Sequence, residues 1–479
     1  MMKTRGEKLV QRESKVAVYD KFCAVDLKLP KEGVLVASFA KNCDFEKGAL
    51  RSGFGGKGYY LETDYQKLVG SGATVYGHPK MVFTVKMKTN DGLVKRTIGA
   101  QTGVDRIFVY DIDGQVKKHI SMPYTLLKTL SYVYPNGDTK MIFCCTDQLF
   151  FYDFKNMMTR IFTDTMTGAC LFHERLFASN KNTLKYSAPM DVGNFEKSLN
   201  GGGEIHFEDE RGEIVWLESF GESVYIFFQY GIARLSASGE GNEFVIEDLP
   251  YNGGHIIPRT ICTYENKLVF ASYEGIFVFD GKKCSMLRHF RYSPLKNYSL
   301  RASAACVGSR YFLYYVDEGS NKRSVAVDLE DEMNTSEYFL LYGLNQSGGK
   351  ALFSSDYVYS YLDREGDLPK NEQYLFKVER CDFSSNKEKT LKYLSLEGVG
   401  ECTVTIKGRN GSKTCLLELG QRGTVGATGA VIVNGADMMG LDRKMIGLKG
   451  REFSFEITLQ KGCVIRKMTV EYDEIGGEK

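Results

Sequence analysis

The 479-residue chain has room for two or three ordinary domains, or for one large repeat domain with a companion. With 62 Lys and Arg against 60 Asp and Glu, its formal charge of +2 gives no reason to expect a whole-molecule polyanion binder and leaves any electrostatic role local. No stretch of about 18 apolar residues occurs, so no helical membrane span is expected; 30 Phe and 29 Tyr beside a single Trp, and 50 Gly against 9 Pro, suit short pleated strands joined by tight turns and indicate an all-β protein.

Residues 1–33 read as an N-terminal arm. Lys3, Arg5, Lys8, Arg12 and Lys15 outnumber Glu7 and Glu13, and the short apolar run Val16, Ala17, Val18, Tyr19 follows; such an arm is held only where it docks. The first ten residues lack the apolar centre of a secretory signal, so the chain reads as unsecreted. Its 12 Cys are therefore expected to be reduced and buried as small hydrophobes. Gly53, Gly55 and Gly58 have the spacing of a dinucleotide-binding fingerprint, but no strand-to-helix alternation follows, so they read as a glycine loop without a cofactor.

Residues 34–365 carry one recurring unit, an apolar β-type run, a polar turn and a second apolar run. It is clearest over 267–281, around Tyr273, Glu274 and Gly275. It recurs around Asp113-Gly114, Thr146-Asp147, Asn180-Lys181, Tyr230-Gly231, Glu318-Gly319 and Asp356. One strong hairpin roughly every 40 residues is the rhythm of a β-propeller, here of about six to seven blades. One hairpin cannot bury its own apolar faces, so the units must stack. Residues 184–200, ending in Gly201, Gly202 and Gly203, break the rhythm and read as a long loop on one face. The charged, Pro-containing segment 363–370 ends the pattern.

Residues 371–479 read as a C-terminal β-sandwich of about 100 residues. Two runs, 403–407 and 414–419, meet at Asn410-Gly411, a tight hairpin turn, and Phe453, Phe455, Ile457 and Leu459 alternate with period two.

Tests for chemistry return no catalytic, cofactor-binding or metal residue. A sialidase-like or Trp-Asp-repeat propeller needs recurring Trp, and only Trp216 is present. The paired glycines 55–56, 253–254 and 348–349 lack the regular period of kelch blades. Cys144 and Cys145 are adjacent on a strand and point to opposite faces, and the six His, at 78, 119, 173, 206, 255 and 289, lack ligand spacing. Asp111 and Asp113 resemble the start of a calcium loop whose later ligands are missing. The acidic run Glu204, Glu208, Asp209, Glu210, Glu213 reads as a solvated face. Residues 282–301 gather Lys282, Lys283, Arg288, Arg291, Lys296 and Arg301 among Phe290, Tyr292 and Tyr298, a mixture able to meet a nucleic-acid backbone. The two runs have opposite sign and could face each other across a head-to-tail contact between identical subunits.

Residues 42–55 (Asn-Cys-Asp-Phe-Glu-Lys-Gly-Ala-Leu-Arg-Ser-Gly-Phe-Gly), 175–189 (Arg-Leu-Phe-Ala-Ser-Asn-Lys-Asn-Thr-Leu-Lys-Tyr-Ser-Ala-Pro), 193–196 (Gly-Asn-Phe-Glu), 212–235 and 268–281 together resemble the tail-nozzle or packaged-DNA-stabilisation proteins of tailed bacteriophages. The resemblance spans roughly residues 35–470 and is carried by turns and strands rather than by catalytic signatures. It implies a non-enzymatic virion protein made in the host cytoplasm. Such proteins form a homo-oligomeric ring below the portal, often six-fold, that extends the DNA exit channel, retains packaged DNA by non-specific contact and carries further tail proteins. The alternative is a carbohydrate- or receptor-binding propeller.

Overall fold

A computed structural model describes residues 12–24, 32–58, 80–89, 92–102, 107–111, 117–120, 126–137, 139–152, 158–198, 201–208, 210–237, 243–287, 302–317, 319–331, 334–347, 349–353, 360–420 and 440–475. Among these residues the helical content is one 3-10 turn, Pro258–Thr260, and everything else regular is strand. No described helix is long and apolar enough to cross a membrane.

Six four-stranded sheets, together with the first four strands of a nine-stranded sheet, make seven blades. In chain order their first strands are Lys80–Thr89, Leu126–Val133, Gly168–Phe172, Ile214–Phe220, Cys262–Tyr264, Ser303–Val307 and Asn345–Ser347. These first strands neighbour one another around an axis, and Asn345–Ser347 returns to Lys80–Thr89; blades 4 and 5 join through one cluster that holds Trp216, Phe227, Leu268 and Phe270. The expected propeller is present, with seven blades.

All seven hairpins read from the sequence fall one to a blade. In blades 2 to 7 each is the middle pair of strands, for example Lys267–Ala271 with Ile276–Phe279 in blade 5. In blade 1 the hairpin is the last pair, Ile107–Asp111 with Lys117–Ile120, and its turn lies outside the described residues, as does that of blade 7. A middle strand is covered on both faces by neighbouring blades, so a long one can be buried along its whole length. Ser223–Phe228 and Arg310–Val316 are buried at every position. An outermost strand is not, and Phe244–Leu249 alternates between half-buried and exposed.

The ring is closed by a strand from far upstream. Gly55–Gly58 pairs antiparallel with Ser360–Asp363 as the fourth strand of blade 7, Gly55 opposite Asp363 and Gly58 opposite Ser360. The glycine-rich stretch is thus a latch strand rather than a loop. Gly56 exchanges two backbone hydrogen bonds with Asp367, at 2.8 and 3.0 Å. A Cβ on Gly55 would run into the backbone carbonyl of Gly366. Backbone here meets backbone, which only glycine permits.

The second unit consists of two facing sheets. In one, Gly440–Gly450, Lys389–Val399, Val464–Ile475, Ala49–Ser52 and Cys43–Glu46 run in that order. In the other, Phe39–Lys41, Tyr374–Cys381, Phe453–Leu459, Glu401–Gly408 and Gly411–Glu418 follow one another. Between them lies one buried cluster that includes Phe376, Leu394, Val404, Phe455, Ile457 and Val470. The strand Phe453–Leu459 turns its odd-numbered residues inward, as its alternation predicts.

The boundaries expected from the sequence are redrawn. Of the expected arm 1–33, the described Arg12–Tyr19 pairs along Val464–Ile475, with Arg12 opposite Ile475 and Tyr19 opposite Met468. Phe22 is completely buried in the same cluster, edge-on to Phe376 with ring centroids 5.8 Å apart. Residues 34–52, expected in the propeller, also belong here, and only the latch 55–58 enters a blade. Phe39–Lys41 further joins the outer strand of blade 6, Glu337 opposite Lys41, so one nine-stranded sheet runs from the propeller into the second unit. Arg12–Tyr19, Phe39–Lys41 and Ala49–Ser52 each pair with strands hundreds of positions downstream, and no local periodicity reports such a pairing.

A buried ionic network reinforces this junction. Arg310 of blade 6 pairs with Asp44 and, at 3.0 Å, with Asp328, and donates to the Phe45 carbonyl at 2.8 Å. Arg364 reaches the other oxygen of Asp44 at 2.8 Å and stacks over Phe54 with its carbon 4.6 Å from the ring centroid. Asn42, at φ 54°, fills the rest of the seam. Its side-chain oxygen accepts from the Phe339 N–H at 2.8 Å, and its amide donates to the Gln373 carbonyl at 2.9 Å.

Candidate functional site

First strands of blades 2, 4, 5, 6 and 7 line a cavity of about 290 Å³ on the axial side of the propeller. Its wall includes Lys128 of blade 2, Trp216 and Glu218 of blade 4, Arg259 and Thr263 before and in blade 5, and Gln346 of blade 7. First strands are less apolar than middle strands because one edge faces the axis, and Leu126–Val133 is half-buried at most of its positions.

Three of these side chains are tied together. The Lys128 ammonium sits 2.7 Å from the Glu218 carboxylate, donates to the Leu217 carbonyl at 3.2 Å, and lies 5.2 Å from the centre of the Trp216 ring. The indole N–H donates to Glu218 at 3.1 Å. Trp216 and Glu218 share one face of their strand because they are two residues apart. Glu218 is thereby committed to two donors. Nearby, Gln346 donates from its amide to the Thr263 carbonyl at 3.1 Å, linking blades 7 and 5.

Arg259 differs from its neighbours. Held on the turn Pro258–Thr260, it is half-buried in the cavity wall, and no side-chain hydrogen bond or carboxylate partner reaches its guanidinium among the described residues. Burial alone lowers its pKa from the ordinary arginine value. Next to it Cys262 lies against Cys306, and burial first, then the neighbouring thiol, raises its pKa well above the usual thiol value. It is a packed thiol rather than a nucleophile.

The clusters considered from sequence fall elsewhere. His206 bonds Thr183 at 3.0 Å and Glu208 at 3.2 Å on an exposed edge, and His255 stacks on Tyr273 at 5.0 Å. His78 and His289 lie outside the described residues, as does the turn after Asp111. Among the described residues no three His, Cys, Asp or Glu side chains are grouped to hold a metal ion. The acidic run follows the outer strand of blade 3, where Glu208 is 83% exposed at its side chain; Asp209 lies outside the described residues. Of the basic stretch, Lys282 and Lys283 donate their backbone N–H groups to the Asp280 carboxylate, which caps the turn, and 288–301 lie outside the described residues. All twelve cysteines are free thiols, and every one except Cys284 is buried. The excursion 184–200 is no open loop: Val192 is fully buried against blade 2 in a cluster with Ile142 and Phe151.

In the sequence Trp216 stands out only as the solitary tryptophan, and nothing local marks Lys128, Glu218 or Arg259. The available signal was positional, since charged residues on first strands of a propeller face the axis.

No protein-family model matches the chain, and no curated protein matches it. Among solved structures it is similar to virginiamycin B lyase from Staphylococcus aureus, at 11% identity and TM-score 0.38 over 59% of this chain and 99% of that one. It is similar to the Pan2 WD40 domain of Neurospora crassa, at 8% identity and TM-score 0.37 over 60% and 88%. A fungal alcohol oxidase in complex with copper is similar at 9% identity and TM-score 0.38 over 81% and 93%. Such likeness concerns fold alone. The chain is a seven-bladed β-propeller joined to a two-layered β unit.

Proposed function

We propose that this chain is a non-enzymatic structural protein of a tailed-bacteriophage virion, a ring-forming tail-nozzle or connector component that sits below the portal, extends the DNA exit channel and helps to retain packaged DNA. The outer face of the six-stranded sheet carries the assembly part of this reading. There Val16, Glu471, Tyr393 and Met445 stand in one row across four strands. Val16 and Met445 are 60% and 66% exposed, and Leu441 and Val18 beside them 70% and 41%. Scattered exposed apolar residues are ordinary, but several sharing one flat face make a contact surface, and a persistent ring contact needs about 1,000 Å² or more. The phage part is supported by the resemblance of 42–55, 175–189, 193–196, 212–235 and 268–281, the first of which supplies the seam and the start of the latch strand. A sugar-binding reading gains nothing from Trp216, which is 8% exposed with Lys128 over its ring.

Electron microscopy and mass photometry of the purified protein, alone and with a portal ring, test the proposal. Rings or portal-bound assemblies are expected. Leu441→Glu with Met445→Glu should abolish them while leaving thermal stability nearly unchanged, since both sites are exposed. A monomer that never assembles with itself or with portal defeats the proposal.

A further inference from the structure

We infer that the axial cavity is a binding site for a small oxyanion, a carboxylate or phosphate carried by a small molecule, with Arg259 as its anchor. The inference stands apart from the assembly role, which uses the outer sheet face.

Among the described residues, other enclosed cations have partners. Arg310 has Asp44 and Asp328. Arg175 donates to the carbonyls of Ser187 and Gly201 at 2.7 and 2.8 Å. Lys389, also held in a neutralising environment by burial, donates to the Lys387 and Arg451 carbonyls at 2.9 Å each. Arg259 faces the cavity without such a partner. A half-buried guanidinium left unpaired weakens the fold, and its planar fork of donors matches a carboxylate or phosphate in bidentate fashion. The described wall carries two cations, Lys128 and Arg259, and one carboxylate, Glu218. Since Lys128 and Glu218 neutralise each other, one positive charge is left over. At about 290 Å³ the space is at the small end of ligand pockets, which suits a compact anion better than a polymer.

The only tryptophan of the chain lies in this wall, so its emission reports the site. At constant ionic strength, titration of the full-length protein with inorganic phosphate, acetate and citrate is expected to give a saturable change in Trp216 emission with at least one of them. The same anion should raise the melting temperature. Arg259→Gln should weaken that binding at least tenfold, Arg259→Lys by less. Without anion, Arg259→Gln should melt at or above the parent temperature, because an uncompensated charge has been removed. Calorimetric titration with the same three anions checks for binding that emission misses. No saturable response in either measurement, or equal affinity in Arg259→Gln, overturns the inference.

Discussion

Arg310→Met probes the seam between the two units. The Arg310 side chain is 7% exposed and its partners Asp44 and Asp328 are 1% and 10% exposed. Methionine keeps most of the volume but withdraws the charge. Asp44 retains Arg364 at 2.8 Å, whereas Asp328 loses its ion pair and the Phe45 carbonyl loses its 2.8 Å donor. Breaking a buried pair by removing one partner costs about 3–5 kcal/mol. The Phe45 carbonyl keeps only the longer bond from the Asn334 amide, at 3.4 Å, and the loss of its shorter one lies within that figure, since the terms share one site and do not add. Burial already raises the Asp328 pKa, with Arg310 opposing it, so losing Arg310 raises it further. A carboxyl whose folded pKa exceeds its unfolded value stabilises the fold at low pH and loses that contribution as pH rises. The deficit of the variant should therefore be larger at pH 8 than at pH 5. Urea unfolding followed by Trp216 emission and far-ultraviolet dichroism measures both. Arg310→Met with Asp328→Leu should recover part of the loss at pH 8. A deficit under about 1 kcal/mol, or one that does not change with pH, would refute the reasoning.

Gly55→Val places a branched side chain against the Gly366 backbone and should cost about 3 kcal/mol or more, read as a lower melting temperature and faster proteolysis; an unchanged melting temperature would mean that the latch is dispensable. The Ser385 hydroxyl and then Lys15, 3.0 Å away, hold the Glu474 pKa down to about 2 from the ordinary 4.5. A depressed carboxylate stabilises above its unfolded value, so this tie between Arg12–Tyr19 and Val464–Ile475 is full above about pH 4.5 and lost as pH falls towards 2. Hydrogen exchange of residues 12–19 should accelerate over that interval in the parent and much less in Lys15→Met with Glu474→Gln.

What the residues announce by themselves is the local, doubly covered structure. Middle strands such as Ser223–Phe228 and Arg310–Val316 are buried along their whole length because neighbouring blades cover both faces, so the recurring hairpins and a count of about six to seven blades are legible in the residues, whereas the count of seven is decided by the fold. The Phe453–Leu459 strand instead shows its inward face by alternation, because only one of its faces is buried. Only the folded molecule decides the closures. The weak glycine run Gly55–Gly58 becomes a blade strand because Ser360–Asp363 offers an unpaired edge, and Phe22 becomes core because Phe376 waits opposite it. The axial site is legible only afterwards. Lys128, Trp216, Glu218 and Arg259 come from separate turns of the chain, and the ring geometry that converges them leaves no mark on the residues beside each one in sequence.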